Sequence, residues 1–125
     1  MKTSQKISEA EWAVMNVLWG KSPQTANEIV EALMKTTSWS DKTIRTLINR
    51  LSKKEVITYE VVGRVYHYSP VVSENECVRQ EAESFLSKVR AGTLKPLMAA
   101  FLEEEELSAD EIEELKDILN RKTKT

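Results

Sequence analysis

The stretch from Ser40 to Lys54 combines long cations with short hydrogen-bonding side chains, a mixture that suits a nucleic acid. Lysine and arginine bind phosphates and release counterions, whereas threonine and asparagine can reach base edges in the major groove of DNA. The N-terminal turn of a recognition helix usually makes the base contacts, so we predict that Lys42, Thr43 and Thr46 read bases. Arg45 suits either task, and the later cations are expected along the phosphate backbone: Arg50, Lys53 and Lys54.

Further side chains extend this predicted DNA-binding surface. Ser40 is expected to cap the helix and to share a phosphate with the free N–H groups at the helix start. Arg64 lies at the tip of a predicted hairpin, within reach of a flanking phosphate if the hairpin follows the groove. Aromatic residues that alternate on a strand could stack on bases, but they more often pack on neighbouring helices. We expect such packing for the hairpin tyrosines, which are Tyr59, Tyr66 and Tyr68.

One helix must present the cations together, and its apolar spacing sets which way it faces. Ser40 is a capping residue, with Trp39 before it and Ile44 at the fourth helical position as a hydrophobic staple. Asp41 is the only carboxylate between residues 41 and 54, and it lies at the N-terminal edge. The i, i+3, i+4, i+7 pattern predicts a buried face made of Ile44, Leu47, Ile48 and Leu51. The opposite face then centres on Lys42, Thr46, Asn49 and Lys53.

The elements around this helix favour a winged helix-turn-helix. Capping boxes, in which a Ser or Thr is followed three residues later by Glu, start two earlier helices at Ser8 and Thr25. After the basic helix, the apolar period changes to that of strands, at about residues 56–61 and 65–70, joined at Val62–Gly63–Arg64. A basic helix alone would often be a solvated charged face, but three helices followed by a hairpin favour DNA binding. We assign residues 1–72 to this domain.

The remainder, residues 73–125, is predicted to be a three-helix dimerisation domain. Capping boxes begin its first and third helices at Ser73 and Ser108, and the first is expected to end at Gly92. A segment this short buries its apolar side chains poorly alone, so the expected partner is a second copy. Together with the winged helix-turn-helix domain, these helices give a fold class that is mainly α with a small antiparallel β-hairpin. The residues expected at the dimer interface are Phe85, Leu94, Leu97, Met98, Phe101, Leu102, Ile112, Leu115 and Leu119.

Composition and charge agree with a soluble folded protein that has two roles. The chain has 125 residues, of which 41% are hydrophobic and 30% charged, and its net charge is −2. Residues 1–70 carry a balance of +3, whereas residues 71–125 carry −5, which suggests that polyanion contacts lie in the first half. The N-terminus lacks the apolar stretch of a signal peptide, and no apolar run is long enough to span a bilayer. We therefore expect a cytoplasmic protein without membrane insertion.

Enzyme and metal chemistry find little support in the sequence. His67 is the only histidine, and no acid–His–nucleophile set can be proposed around it. Cys77 is the only cysteine, which excludes an internal disulfide and a cysteine-cluster metal site, and it is expected to be a small apolar filler. The four glutamates at 103–106 point in different directions on a helix, so a solvated acidic segment is expected. We predict no enzyme activity and no cofactor. A winged-helix module that binds protein remains an alternative.

Three motifs together identify a resemblance. The segments ISEAEWAVMNVLW, SDKTIRTLINRLSKK and LEEEELSADEIEELKDILNRK resemble the BlaI/MecI family of penicillinase repressors, in the same order, from about Ile7 to Lys122. The resemblance implies that the N-terminal winged helix binds palindromic operator DNA and that the C-terminal helices interlock into a homodimer. It also implies repression of β-lactamase and related antibiotic-resistance genes. A regulator of an unrelated operon, without β-lactam sensing, is the alternative within this fold.

The resemblance further implies a proteolytic switch. In that family a membrane sensor acylated by a β-lactam leads to cleavage of the repressor within its dimerisation helices, before a Phe that precedes an acidic run. The corresponding bond here is Ala100–Phe101. Family members carry Asn before this Phe, so Ala100 is a departure from the pattern. A copper-responsive branch carries C-terminal cysteine pairs, which this chain lacks, so a copper sensor is disfavoured.

Overall fold

The computed structural model describes residues 6–89 and 92–123, which form six helices and a three-stranded antiparallel sheet. The chain divides into two compact units, residues 1–82 and 83–125. The boundary expected after residue 72 stays a prediction. In chain order the elements are α1 (Glu9–Gly20), β1 (Gln24–Thr25), α2 (Ala26–Met34), α3 (Asp41–Lys53), β2 (Ile57–Val62), β3 (Val65–Pro70), α4 (Glu74–Leu86), α5 (Leu94–Glu104) and α6 (Ala109–Thr123).

Local capping chemistry sets the start of the first helices as predicted. The N–H of Glu11 donates to Ser8 Oγ at 3.2 Å, and the N–H of Ser8 donates to Glu11 Oε1 at 2.9 Å. Thr25 and Glu28 form the same reciprocal pair at the start of α2. Each box satisfies two backbone N–H groups that the helix itself leaves without a partner.

The hydrophobic core lies between the first three helices and the base of the β2–β3 hairpin. Val14, Met15 and Leu18 of α1 are fully buried, and Ile29 of α2 packs with them. The predicted inner face of α3 is confirmed, because all of its members are buried: Ile44, Leu47, Ile48 and Leu51. This packing fixes the rotation of α3 about its axis and therefore the side chains that it presents to solvent.

The end of α3 turns the chain sharply into the hairpin. Glu55 has a φ of 64°, the left-handed conformation that commonly ends a helix. The N–H of Glu55 donates to Ser52 O at 3.0 Å, and the N–H of Val56 donates to Leu51 O at 3.2 Å. These two bonds form the Schellman pattern, which directs Val56 into the core and leaves Lys54 as the last residue before the turn.

The predicted hairpin is confirmed, with its strands within one residue of their expected bounds. β2 and β3 pair from Ile57 opposite Pro70 to Val62 opposite Val65. Gly63 and Arg64 form the two-residue loop, and of these two only Gly63 has a positive φ, at 66°. Glycine at the first loop position with this conformation is the pattern of a type II′ turn.

The sequence pattern did not predict the third strand. β1 has only two residues and pairs with β3 as the other edge of the sheet, with Gln24 opposite Tyr68 and Thr25 opposite His67. A two-residue strand shows no alternation that could distinguish it from a loop. Its pairing joins the start of α2 to the hairpin.

The C-terminal helices begin largely as predicted but differ in one boundary. Ser73 and Glu76 bond reciprocally before α4, and Ser108 and Glu111 do so before α6. The expected end of α4 at Gly92 is wrong, because the helix ends at Leu86; residues 90 and 91 lie outside the described residues. No side chain of α5 or α6 is fully buried among the described residues. None of the described helices is long and apolar enough to cross a membrane.

Candidate nucleic-acid interface

The outer face of α3 gathers most of the predicted DNA-binding side chains. Its inner face is buried in the core, so the opposite side of the helix is left to solvent. The exposed side chains there are Lys42, Thr43, Thr46, Asn49, Arg50 and Lys53. We call these residues the α3 outer face. Its long lysine and arginine side chains flank short polar ones, an arrangement that can bind phosphates and base edges together.

The N-terminal end of α3 couples two hydroxyl groups. The N–H of Thr43 donates to Ser40 Oγ at 3.2 Å, and the Ser40 hydroxyl donates to Thr43 Oγ1 at 3.1 Å. Ser40 therefore uses its only hydroxyl hydrogen within the cap. The hydroxyl hydrogen of Thr43 remains to be donated to a base or phosphate oxygen, which favours Thr43 over Ser40 as the direct contact.

Thr46 presents its methyl group rather than a hydroxyl hydrogen. Its Oγ1 donates to the backbone oxygen of Lys42 at 2.9 Å, one turn earlier in the helix. The groups left for DNA are the methyl and the acceptor lone pairs of Oγ1. A threonine methyl can contact the methyl of thymine in the major groove, so the geometry suits Thr46 as a reader of that base.

Arg45 is restrained by two partners, one of which sequence reasoning missed. Its guanidinium bonds to both carboxylate oxygens of Asp41, with Nε at 2.5 Å from Oδ1 and Nη2 at 3.4 Å from Oδ2. Nη2 also donates to the Oδ1 of Asn27, which lies in the first turn of α2. Asn27 is 18 positions away in sequence, and only the contact between α2 and α3 brings it near. The arginine side chain remains 42% exposed.

The two adjacent lysines at the end of α3 have different environments. Lys53 is exposed, and neither it nor Arg50 makes an ion pair with another residue among 6–89 and 92–123. Lys54 turns inward instead, where its Nζ lies 2.6 Å from Glu11 Oε1 and 2.7 Å from the backbone oxygen of Lys6. The expectation that Lys54 lies along the DNA backbone is wrong, because this ammonium neutralises a carboxylate inside the fold.

Glu11 is a buried carboxylate whose negative charge is stabilised by hydrogen bonds from neighbouring groups. Burial by itself raises the pKa of its carboxyl, but the hydrogen bond from Lys54 and that from the Ser8 N–H outweigh this effect. The pKa of Glu11 consequently lies below its ordinary value, and the group is charged at neutral pH. The Lys54–Glu11 pair therefore links the end of α3 to the start of α1.

The hairpin presents Arg64 but positions its tyrosines differently from the expectation. Arg64 is exposed in the β2–β3 loop, next to the exposed Val65. Tyr68 is buried, as predicted, whereas Tyr59 and Tyr66 are about half exposed. These two rings stack on each other with centroids 4.2 Å apart and planes at 4°. The prediction of core packing is therefore wrong for both, because each stays about half exposed and their rings contact each other and the buried Tyr68, whose ring centroid lies 5.8 Å from that of Tyr59 and 6.2 Å from that of Tyr66.

The side chains that could bind a metal ion in the described part of the chain are those of His, Cys, Asp and Glu. No group of three or more His, Cys, Asp or Glu side chains in residues 6–89 and 92–123 is placed to hold a metal ion. Cys77 is buried in the core, as predicted for an apolar filler, and burial raises the pKa of its thiol. A thiol with a raised pKa is a poor nucleophile at neutral pH.

Comparison with known proteins gives relatives along nearly the whole chain. The penicillinase repressor family model matches residues 7–121. A penicillinase repressor of Staphylococcus aureus is 49% identical over 115 residues, which cover 92% of this chain and 91% of the relative. The methicillin resistance regulatory protein MecI of the same species is 44% identical over 117 residues, covering 94% and 95% of the two chains.

A solved structure matches the N-terminal part of the fold. It is the solution structure of the monomeric form of Bacillus licheniformis BlaI in complex with the blaP half-operator. The two share 42% identity, and the match has a TM-score of 0.52 and covers 58% of this chain and 88% of the other. The winged-helix architecture and the family motifs therefore agree with the sequence match. This chain belongs to the penicillinase repressor family.

Proposed function

We propose that this chain is a homodimeric repressor that binds palindromic operator DNA of β-lactam resistance genes and is inactivated by cleavage in its C-terminal helices. The observation that carries the proposal is the α3 outer face, whose cations and threonines are exposed together on a helix held rigidly by the core. Family membership supports the same activity, since a solved relative is described in complex with a half-operator.

The DNA contacts follow from the free donors of this surface. Lys42, Arg50, Lys53 and Arg64 supply cations for phosphates, and the N-terminus of α3 offers backbone N–H groups to another. Thr43 and Thr46 occupy the first turns of the helix, where base contacts are usual. Lys42 has a long, exposed side chain and can reach either a phosphate or a guanine edge.

Dimerisation is supported by apolar side chains that the chain does not bury. Phe101 is 59% exposed and Leu119 is 61% exposed, and a soluble monomer rarely leaves so many large apolar groups in water. Covering one such side chain contributes about 1.5–3 kcal/mol. The proposed interface comprises Phe85, Leu94, Leu97, Met98, Phe101, Leu102, Ile112, Leu119 and the partly buried Leu115. A two-fold dimer would present two copies of α3 to two half-sites.

The proposed switch acts on this interface. The Ala100–Phe101 bond lies within α5, where both residues are exposed. Cutting it would remove Phe101, Leu102 and all of α6 from the part of the chain that carries the DNA-binding face. The cut chain would keep only Phe85, Leu94, Leu97 and Met98 of the proposed interface, so the dimer would weaken and each monomer would retain only one set of DNA contacts. Tight binding to two half-sites requires that the two DNA-binding domains are linked in one dimer. Repression would therefore be lost.

The DNA-binding proposal is tested by titrating the full-length chain with random duplex DNA at several salt concentrations. A repressor of this type should lose affinity steeply as salt rises, with a log–log slope of about −0.9 for each phosphate contact. Absent binding at low salt, or binding that does not depend on salt, would overturn the proposal. A protein-binding winged helix would behave in that way.

The gene targets and the switch need separate experiments. Selection of bound genomic fragments should return a palindromic site beside a β-lactamase or sensor gene, and sites elsewhere would indicate an unrelated operon. After β-lactam treatment of cells, mass spectrometry should detect a new N-terminus at Phe101. Induction with the chain intact would contradict the cleavage step without affecting the assignment of DNA binding.

A further inference from the structure

We propose that Asn27 and Asp41 are positioning residues that prevent Arg45 from reading guanine and restrict it to a contact with the DNA backbone. The inference rests on the proposed DNA binding and adds a specificity role for two residues outside the predicted set of DNA contacts. Arginine is the residue that most often reads guanine in the major groove, and Arg45 lies in the second turn of α3, where base contacts are common.

The hydrogen-bond donors of the guanidinium limit what Arg45 can bind. Arginine has five N–H donors, one on Nε and two on each terminal nitrogen. Reading guanine with a fork of two nitrogens requires either Nε with Nη2, or Nη1 with Nη2, aimed at O6 and N7. Both forks include Nη2, so the two hydrogens of this nitrogen decide whether Arg45 can recognise the base in that way.

Both of these forks are occupied in the structure. Asp41 takes the side fork through Nε–Oδ1 at 2.5 Å and Nη2–Oδ2 at 3.4 Å. Asn27 Oδ1 also accepts from Nη2, so this nitrogen has two hydrogens and two acceptors, and a guanine could use it only by displacing one of them. Within residues 6–89 and 92–123 only Nη1 lacks an acceptor, and its two N–H groups diverge in the guanidinium plane. Nη1 is suited to a single phosphate oxygen rather than to the two acceptors of one guanine edge.

The surroundings keep this arrangement in place. Asp41 is in the first turn of α3, one helical turn before Arg45, where a carboxylate is stabilised by the helix dipole. Asn27 is in the first turn of α2, whose position against α3 is set by the shared core. The acceptors therefore come from two helices that share one core, and an incoming guanine would have to displace the Asp41 carboxylate to use one fork or the Asn27 amide oxygen to use the other.

The test is selection of bound sequences from a randomised duplex DNA library by the full-length chain and its variants. If Arg45 contacts only the backbone, Arg45→Ala should weaken binding to all sequences alike, reduce the salt slope by about 0.9, and leave the selected motif unchanged. Loss of a guanine from the motif in Arg45→Ala would overturn the inference, because it would show that the arginine already reads that base.

Asn27→Ala tests the blocking role directly, since Asn27 is exposed and alanine is compatible with the first turn of a helix. It should create a new guanine preference of about 5- to 150-fold at one position of each half-site, and the double variant Asn27→Ala/Arg45→Ala should lose it. An unchanged motif in Asn27→Ala would overturn the role given to Asn27. If the wild-type chain enriches no sequence, the proposed DNA binding itself fails, an outcome separate from either result.

Discussion

Lys53 and Lys54 are chemically identical neighbours, and the structure predicts opposite consequences when each is replaced by methionine. Methionine keeps most of the length of the side chain but removes the charge. Lys53 is exposed on the α3 outer face, so its replacement should change the free energy of unfolding by less than about 0.5 kcal/mol. If it contacts a phosphate, the log–log salt slope of DNA binding should become shallower by about 0.9.

The cost of Lys54→Met follows from the carboxylate that it would leave behind. The Glu11 side chain is only 2% exposed, and Lys54 Nζ lies 2.6 Å from its Oε1. Losing a hydrogen bond to a charged group costs about 1.5–3 kcal/mol, and breaking a fully buried ion pair costs about 3–5 kcal/mol. Because the Lys54 side chain is 29% exposed, water can partly replace it. We therefore expect a loss of about 2–3 kcal/mol, a large share of a domain's stability.

Urea unfolding and salt-dependent DNA binding, measured on the same two variants, check this reasoning. Lys54→Met should unfold at lower urea and keep the wild-type salt slope, whereas Lys53→Met should do the reverse. The double variant Lys54→Met/Glu11→Gln should recover part of the lost stability, since the neutral amide leaves no unpaired charge. A Lys54→Met protein with wild-type stability and a shallower salt slope would refute the assignment of Lys54 to the interior.

Three further predictions concern base reading, assembly and pH. Thr46→Ala should change the selected bases more than the affinity for random DNA, whereas Arg50→Ala should weaken both alike; equal losses on selected and random DNA for both variants would contradict this division. Phe101→Asp should give monomers in sedimentation, while the neighbouring control Glu104→Asp should sediment as the wild type, and an intact Phe101→Asp dimer would argue against the interface. The pKa of Glu11 is lowered from 4.5 in the folded chain, so its stabilising contribution is complete above pH 4.5 and is lost as pH falls through the folded pKa. Urea midpoints should therefore fall more steeply below that pH for the wild type than for Glu11→Gln, and parallel curves would exclude a role for this carboxyl.

The parts of the fold that depend on neighbouring residues could be predicted from the sequence. Capping at Ser8, Thr25, Ser73 and Ser108 involves residues three apart, so the pattern contains both partners. The buried face of α3 follows from a helical period that any helix must obey. For the same reason the exposed face, with most of the candidate DNA contacts, was correctly predicted from spacing alone.

The parts that depend on tertiary contacts could not be predicted in this way. The Lys54–Glu11 pair joins residues 43 positions apart, and no local pattern distinguishes Lys54 from Lys53. The Asn27–Arg45 bond likewise exists only because α2 and α3 pack together. Tyr59 and Tyr66 share the alternation of buried strand residues, but only Tyr68 of the three tyrosines is buried, and the other two stay about half exposed beside it. In each case the outcome depends on which other element of the fold lies nearby. The spacing of residues along the sequence does not give that information.

Thr25 has two structural tasks, because its side chain caps α2 and its backbone pairs with His67 in the sheet. Asparagine, aspartate and serine are the stronger caps, but asparagine and aspartate are disfavoured in strands, whereas threonine suits both environments. Residue 25 is therefore a mechanical connection between the sheet and the start of α2. Because Thr25 connects β3 to this end of the helix, beside Asn27, a change in the position of the hairpin would also move the residue that holds Arg45.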